Sequence, residues 1–352
     1  MGLDRLRGLV VVLMALDHAR HFLEPAELSP EDLATTTPAY FLSRWLTHLC
    51  APAFVFLAGS GAALQRRSEG LPGRLALRGL WLIALELSWV NFSWSFGFSK
   101  GYLGVLWAIG GAMLLLAAVC RLPRAAVAAL GALAPALGLL LSPEGWPLGL
   151  RLLIAPVSFT VGELPVVVSY TILPWFGVMA MGWGSLPLQL DPRWRAAAGA
   201  AALALFVALR AAGMGDPRPW TAAHPEAWRV AADFFDPSKY PPSLAYQALF
   251  LGIGLLLISP LQRLPAALAA PLDVFGRVPL FFYLLHLPLY HLMDMLVSLQ
   301  LYGTTTVPPD SPPALGWMLA VWAVGLALLI GPSRAWAAFK ARHPGAWWTA
   351  YV

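Results

Sequence analysis

The stretch LGWMLAVWAVGLALLIGPS, residues 315–333, contains no charged side chain. The hydrocarbon core of a bilayer is about 30 Å thick, and about 17–25 apolar residues in an α-helix cross it. This stretch therefore predicts a transmembrane helix. Nine further apolar runs have comparable length and lie at about 6–23, 42–64, 75–96, 102–120, 125–141, 166–186, 196–213, 244–262 and 278–299.

The composition agrees with a membrane protein. Of the 352 residues, 59% are hydrophobic and only 12% are charged, and the mean hydropathy is +0.68. An ordinary soluble domain has roughly 25% charged residues. The composition excludes a soluble globule, a disordered chain and a coiled coil, and the scattered basic residues do not predict nucleic-acid binding. We expect an all-α bundle of about ten transmembrane helices, in one domain over residues 1–352, with the lipid bilayer as its partner.

The basic residues predict the orientation. If the N-terminus is cytoplasmic and the spans alternate, 15 of the 23 basic residues fall on cytoplasmic segments, and most acidic residues fall outside. The positive-inside rule then places both termini in the cytoplasm. Cys50 and Cys120 are expected at opposite membrane faces, where they cannot pair. With 20 Arg against 3 Lys, the composition hints at a GC-rich bacterial genome and thus at a bacterial inner membrane. A homodimer is compatible with the sequence.

Ionisable residues inside the predicted spans are few, and such residues are usually functional. Most fall in the outer half of their helices and predict one polar cavity that opens outward. They are Asp17, His18, His48, Glu86, His286, His291 and Asp294, with His21 at the margin.

The spacing of these residues suggests acid–base chemistry. Arg7 and His18 lie eleven residues apart, about three helical turns or roughly 16 Å, on nearly one face. A carboxylate beside an imidazole fixes its tautomer and raises its basicity, so Asp17 is expected to orient His18. His291 and Asp294 have the i,i+3 spacing of a second pair. Either pair could instead be interhelical glue, and Arg7 could instead be a topological anchor.

Other features of the sequence have two interpretations each. Glu86 could belong to a buried ion pair. The segment FVFLAGSGAAL, residues 54–64, predicts tight helix packing through Gly59 and Gly61, or a backbone lining for a ligand tunnel. No H-x-x-x-H or H-E-x-x-H spacing occurs, so we expect no metal.

Several stretches resemble one family. They are DRLRGLVVVLMALDHARHF from Asp4, LTHLCAPAFVFLAGSGAAL from Leu46, RGLWLIALELSWVNFSWSF from Arg78, YTILPWFGVMAMGWG from Tyr170, FGRVPLFFYLLHLPLYHL from Phe275 and HPGAWW from His343. In order and spacing they are similar to the heparan-alpha-glucosaminide N-acetyltransferase catalytic-domain family. The spacing of Arg7 and His18 also resembles the first-helix motif of the wider group of transmembrane acyltransferases.

The resemblance implies a transferase of ten or eleven helices that takes an acyl group from cytoplasmic acetyl-CoA or another acyl-CoA. The acceptor would be an amine or hydroxyl of a sugar or glycan outside. Its lysosomal member is associated with a histidine in the loop after the first helix, whereas residues 24–43 contain none here. We therefore take His18, Asp17, His286 and His48 as catalytic candidates, with His18 first. Arg7, Arg78 and Arg277 are the candidates for binding the donor phosphates.

Two alternatives compete with acyl transfer. Buried Asp, Glu and His residues also form the proton relays of transporters, so a proton-coupled transporter is the main alternative. A non-catalytic scaffold would leave the buried ionisable groups unexplained. Within acyl transfer, a histidine could act as general base or be acylated itself.

Overall fold

The computed structural model describes residues 2–25, 28–141, 143–343, 346 and 349. The C-terminal motif HPGAWW lies largely outside these residues. Helices make up 71% of the structure, as the apolar runs predict. The α-helices of the described residues are α1 (Gly2–Leu23), α2 (Pro38–Thr47), α3 (Cys50–Leu64), α4 (Leu71–Leu85), α5 (Asn91–Ser95), α6 (Val105–Val119), α7 (Arg124–Leu140), α8 (Leu148–Ile154), α9 (Ile172–Gly184), α10 (Leu186–Leu190), α11 (Pro192–Ala211), α12 (Ala227–Phe234), α13 (Leu244–Gln262), α14 (Ala266–Arg277), α15 (Pro279–Tyr302) and α16 (Leu315–Arg342).

Six helical segments of the described residues are long and apolar enough to cross a bilayer. They are Pro38–Leu64, Leu71–Ser95, Pro192–Ala211, Leu244–Gln262, Pro279–Tyr302 and Leu315–Arg342. Three shorter apolar helices, Val105–Val119, Arg124–Leu137 and Ile172–Gly184, coincide with further predicted runs. The tenth run lies in α1, whose charged side chains set it apart from the apolar set. The chain is thus a multi-pass helical membrane protein.

A small sheet corrects the all-α expectation. Its strands are β1 (Gly101–Leu103), β2 (Val157–Val161) and β3 (Leu164–Val168) in the order β1-β3-β2, with β2 and β3 antiparallel. A two-residue turn at Gly162 and Glu163 joins β2 to β3, and Gly162 takes a positive φ of 61° that suits glycine. The valine-rich start of the run 166–186 is therefore a strand, because β-branched residues favour a pleated surface.

The run 42–64 forms two helices, α2 and α3, that meet at His48 and Leu49. Pro52 has no amide hydrogen, so the carbonyl oxygen of His48 loses its helical partner. The hydroxyl of Tyr246 on α13 donates to that oxygen at 2.8 Å. A neighbouring helix therefore supplies the missing partner at the break, and the buried side chain of His48 there contacts the loop residues Glu31 and Asp236.

Helix α1 is central and packs against α2, α3, α13, α14, α15 and α16. A Cβ atom on Gly8 would lie 2.0 Å from the carbonyl oxygen of Leu272 on α14, and one on Gly276 would lie 2.0 Å from that of Asp4. Only glycine permits this contact. The segment 263–277, expected as a cytoplasmic loop, is therefore largely a helix held against the start of α1.

Candidate functional site

A cavity of about 680 Å³ opens at the end of the bundle where α1 begins. Five basic side chains line it: Arg7, Arg74, Arg78, Arg277 and Lys340. They come from α1, α4, α14 and α16, so residues far apart in sequence form one positively charged mouth. We call it the basic cavity. The three predicted donor-binding residues all line it.

The contact between α1 and α14 explains how the mouth is built. Arg7 donates hydrogen bonds to Asp4 at 2.9 Å and to the carbonyl oxygen of Gly276 at 3.3 Å. Arg277 follows Gly276 directly and is exposed. A guanidinium can bind a phosphate through two parallel hydrogen bonds, so this mouth suits a phosphorylated ligand.

The inner part of the basic cavity is apolar. It is lined by Phe54, Leu57, Leu82, Leu106 and Met113, among others. Gly61 also lines it, and a Cβ atom there would meet no atom within 4 Å. Gly59, two residues earlier, instead packs against α9, where a Cβ atom would lie 2.0 Å from the carbonyl oxygen of Met179. In the segment FVFLAGSGAAL, Gly59 thus permits tight helix packing, and Gly61 contributes backbone lining to the cavity.

Two histidines lie just beyond the inner end. Met14 and Tyr283 line the basic cavity, and His18 and His286 follow them by four and three residues on the same helices. The Nδ1 atom of His18 lies 2.5 Å from the Nε2 atom of His286. The ring of Tyr283 lies 5.3 Å from that of His286 and 6.3 Å from that of His18, between centroids.

The contacts of this histidine pair determine its tautomers. The Nδ1 atom of His286 lies 2.6 Å from the carbonyl oxygen of Tyr283, which can only accept, so Nδ1 carries the hydrogen. In a neutral ring Nε2 then accepts, and the Nδ1–H of His18 donates to it. The Nε2 atom of His18 keeps a free lone pair and makes no hydrogen bond to the described residues. This atom can take a proton.

The expected role of Asp17 differs from what the structure shows. Its carboxylate accepts hydrogen bonds from Arg20 at 2.9 Å, Arg44 at 2.8 Å and Thr47 at 2.8 Å. Among the described residues, no carboxylate bonds to a ring nitrogen of His18, and its Nδ1 atom lies beside His286 instead. Two guanidinium groups compete for Asp17 more strongly than an imidazole does, because they are charged.

His48 also lies away from the basic cavity, in an ion-pair network toward the C-terminal end of α1 that includes Asp17, Arg44, Glu31 and Asp236. Its Nε2 atom is 3.0 Å from Glu31, and its Nδ1 atom is 4.0 Å from Asp236. Burial alone would raise the pKa of Glu31, but the hydrogen bond from His48 and the charge of Arg44 hold that pKa well below its usual range. Burial, reinforced by the charge of Glu31, raises the pKa of Asp236 to about 7.

Glu86 caps a helix instead of joining an ion pair. The chain forms a π-helical turn at Glu86–Val90, and the carboxylate accepts the amide hydrogens of Gly104, Leu106 and Trp107 at 3.2, 2.8 and 3.3 Å. These amides belong to the start of α6 and have no helical partner. A negative charge there is favoured by the helix dipole as well. Glu86 thus fixes the end of α6 that lines the basic cavity.

His291 and Asp294 do not pair with each other. The ring of His291 is stacked between Phe22 and Phe96, at 4.9 and 4.3 Å, and its Nδ1 atom bonds to the carbonyl oxygen of Ser93 at 3.0 Å. Asp294 accepts a hydrogen bond from Ser298 at 3.1 Å. Among the described residues, no group of three or more His, Cys, Asp or Glu side chains could hold a metal.

The sequence-based predictions leave out Arg74 at the mouth of the basic cavity, and Tyr283, Trp94 and Lys239 nearer the histidine pair. Arg74 lies one turn before Arg78, so spacing could have found it. The ring of Trp94 is 5.2 Å from that of His18. Only tertiary contacts bring Trp94, Tyr283 and Lys239 to this place, and no local pattern marks them.

Comparisons with known proteins agree with acyl transfer and give no support to the transporter alternative. Neither the comparison with curated proteins nor that with solved structures gives a significant match. The family described as "Heparan-alpha-glucosaminide N-acetyltransferase, catalytic" matches residues 1–214, more than half of the chain. The match includes α1, with Arg7 and His18, and most helices that line the basic cavity. The chain therefore belongs to the heparan-alpha-glucosaminide N-acetyltransferase catalytic family, whose members are membrane acetyltransferases.

Proposed function

We propose that the protein transfers an acetyl or other acyl group from cytoplasmic acyl-CoA to an amine or hydroxyl of a sugar or glycan on the other side of the membrane. The observation that carries this proposal is the position of the His18–His286 pair at the inner end of the basic cavity. The mouth suits the phosphates of CoA, and the apolar interior suits its pantetheine arm. The thioester would then lie beside His18.

In this mechanism His18 is the general base, and His286 is a positioning residue. The Nε2 atom of His18 removes a proton from the acceptor as the amine nitrogen bonds to the carbonyl carbon of the thioester. The C–S bond breaks, and His18 returns the proton to the sulfur, which releases CoA as a thiol. His286 holds the ring of His18 and stabilises its protonated form through the shared hydrogen bond.

The orientation forms part of the proposal. We propose ten spans in a single domain of a bacterial inner membrane, with both termini in the cytoplasm. The basic cavity then opens to the cytoplasm, where acyl-CoA is found. The ion-pair network around His48 then lies on the side of the membrane where the acceptor is found. Cysteines placed at Arg67 and Glu226 test this orientation, since both positions are exposed, whereas Cys50 and Cys120 are buried. An impermeant maleimide should label Glu226→Cys in intact cells and Arg67→Cys only after lysis; the reverse pattern would reject the orientation.

The chemistry is tested with purified protein, labelled acetyl-CoA and glucosamine as acceptor. His18→Ala should lower kcat by about 10²–10⁴-fold and leave acetyl-CoA affinity within a few-fold, because a general base typically contributes that much. His291→Ala is the matched control: its imidazole lies on the same helix as His286 but outside the pair. Full activity of folded His18→Ala would refute the assignment. In a second experiment, the enzyme is incubated with labelled acetyl-CoA and no acceptor. If wild type becomes covalently labelled and His18→Ala does not, His18 is the nucleophile and not the general base.

The donor end has its own test. Arg7→Ala should weaken acetyl-CoA binding, and Arg7→Lys should weaken it less, because lysine keeps the charge but loses the planar fork. Arg67→Ala is the control, since Arg67 is exposed at the same end and does not line the basic cavity. Equal affinity of wild type and Arg7→Ala would remove Arg7 from the donor site.

A further inference from the structure

Trp94 on α5 borders the His18–His286 pair on the side away from the basic cavity. Its ring lies 5.2 Å from that of His18 and 5.1 Å from that of His21, both in edge-to-face contacts, and 5.2 Å from that of Phe22. His18, His21 and Phe22 have the i, i+3, i+4 spacing of one helical face. The mouth of the basic cavity lies at the start of α1, so Trp94 covers this face from His18 onward, away from the mouth.

The ring of His18 has aromatic neighbours from two helices. The rings of His286 and Tyr283 on α15 lie 4.8 and 6.3 Å from it, and that of Trp94 approaches from α5. His18 is half-buried and therefore borders open space that small molecules can enter. Further along α1, Trp94 is half-buried, and 56% of the side chain of His21 is exposed. Trp94 thus lies between His18 and the solution at that end of the helix.

The local backbone determines where Trp94 points. The π-helical turn Glu86–Val90 directly precedes α5. Such a turn has about one more residue than an α-helical turn, so it rotates all later side chains by about 100° around the axis. Two residues after Trp94, Phe96 has a φ of 47°, in the left-handed region that a residue with a Cβ atom rarely adopts. Irregular backbone thus lies on both sides of Trp94, and such irregularities are frequent at functional sites.

We propose that Trp94 keeps water away from His18, so that the acyl group passes to the acceptor and not to water. This inference rests on the proposed function. A base that activates an amine can also activate water. The water oxygen would bond to the thioester carbonyl carbon while Nε2 of His18 takes a proton; the C–S bond would break, and the proton would pass to the sulfur. The products would be acetic acid and CoA, and closure of an active site prevents such side reactions.

Access to position 18 is measured first, without any substrate. His18→Cys and His21→Cys are labelled with an impermeant, charged methanethiosulfonate, from the membrane side at which His21→Cys reacts. His18→Cys should react at least about tenfold more slowly than His21→Cys, because a minor open state is typically populated at about 10% or less. Adding Trp94→Ala should remove most of this difference. Phe98→Ala is the control, since Phe98 is an exposed aromatic residue near Trp94 whose ring contacts that of Phe92.

Hydrolysis is measured next, on purified protein with acetyl-CoA and no acceptor, from the release of the CoA thiol. Trp94→Ala should release thiol about tenfold or more faster than wild type, for the same reason. Adding His18→Ala should abolish this gain, because the base is lost. Trp94→Phe keeps an aromatic ring and should show a smaller gain than Trp94→Ala. If Trp94→Ala does not fold, Trp94→Leu replaces it in both measurements.

The outcomes separate this inference from the proposed function. Unchanged labelling of position 18 after replacement of Trp94 would overturn the inference. Unchanged thiol release would also overturn it, provided that wild type transfers acetyl groups from acetyl-CoA to glucosamine. If labelling changes as expected, but wild type transfers no acetyl group and no variant releases thiol, the proposed function is refuted, whereas Trp94 still excludes solvent from His18.

Discussion

Replacing Gly61 by leucine should obstruct the basic cavity without disturbing the fold. A Cβ atom at Gly61 meets nothing within 4 Å, so the new side chain can enter the cavity. Its four carbons would displace about as many ligand atoms. At about 0.3 kcal/mol per ligand atom the loss is about 1.2 kcal/mol, close to a tenfold rise in the Kd of acetyl-CoA. Because glycine inside a helix costs about 0.5–1 kcal/mol relative to alanine, the variant should melt no lower than wild type.

Calorimetry with acetyl-CoA and a thermal melt measure both quantities. Gly73→Leu is the matched control, since a Cβ atom there also meets nothing within 4 Å but Gly73 does not line the cavity. Gly59→Leu should fail to fold, because its side chain would strike the backbone of α9. If Gly61→Leu binds acetyl-CoA as tightly as wild type, the cavity is not the donor site.

Three further predictions concern the fold and the loop residue Asp236. Tyr246→Phe should lower the free energy of unfolding by about 1–3 kcal/mol, measured by thermal melting, because the carbonyl oxygen of His48 loses its partner; an unchanged melt would contradict this. Gly8→Ala should lower the yield of folded protein sharply, since the Cβ atom would meet Leu272 at 2.0 Å, whereas Gly73→Ala should not. The pKa of Asp236 is raised from 3.8 to about 7, so the folded state holds more protons than the unfolded state between these values. Stability should therefore fall as pH rises through this window, and Asp236→Asn should show a smaller fall in melting temperature; identical pH profiles would refute this.

The spans could be predicted from the sequence because each depends on a local property. A long apolar run forms a helix in a bilayer whatever its neighbours are, and each of the ten predicted runs contains a helix. The departures occur where local patterns compete. The valines of β3 are equally compatible with a buried helix, and α14, with 12 residues, is too short to cross a bilayer and therefore resembles a connecting loop in the sequence.

The candidate site was only partly predictable for a related reason. Polarity within an apolar run marks His18, His286 and Asp17 as unusual, since each is costly in a membrane. Which of them bond depends on the packing of α1 against α15, and His18 and His286 are 268 residues apart in the chain. Asp17 and His18 are adjacent in sequence but point to different faces of α1. The sequence therefore identifies the polar residues but not their partners.

No described carboxylate bonds to the His18–His286 pair, and this has a consequence for energy coupling. In the proposed transfer, a proton leaves the acceptor on the outer side and ends on the thiol of CoA in the cytoplasm, while the acyl group leaves the sulfur and ends on the acceptor. The proton that moves inward and the acyl group that moves outward have the same formal charge. A turnover with a neutral amine therefore moves no net charge across the membrane, and the membrane potential, which acts on net charge, does no work on it. Proteoliposomes with an imposed potassium diffusion potential should reach the same extent of transfer as proteoliposomes without one.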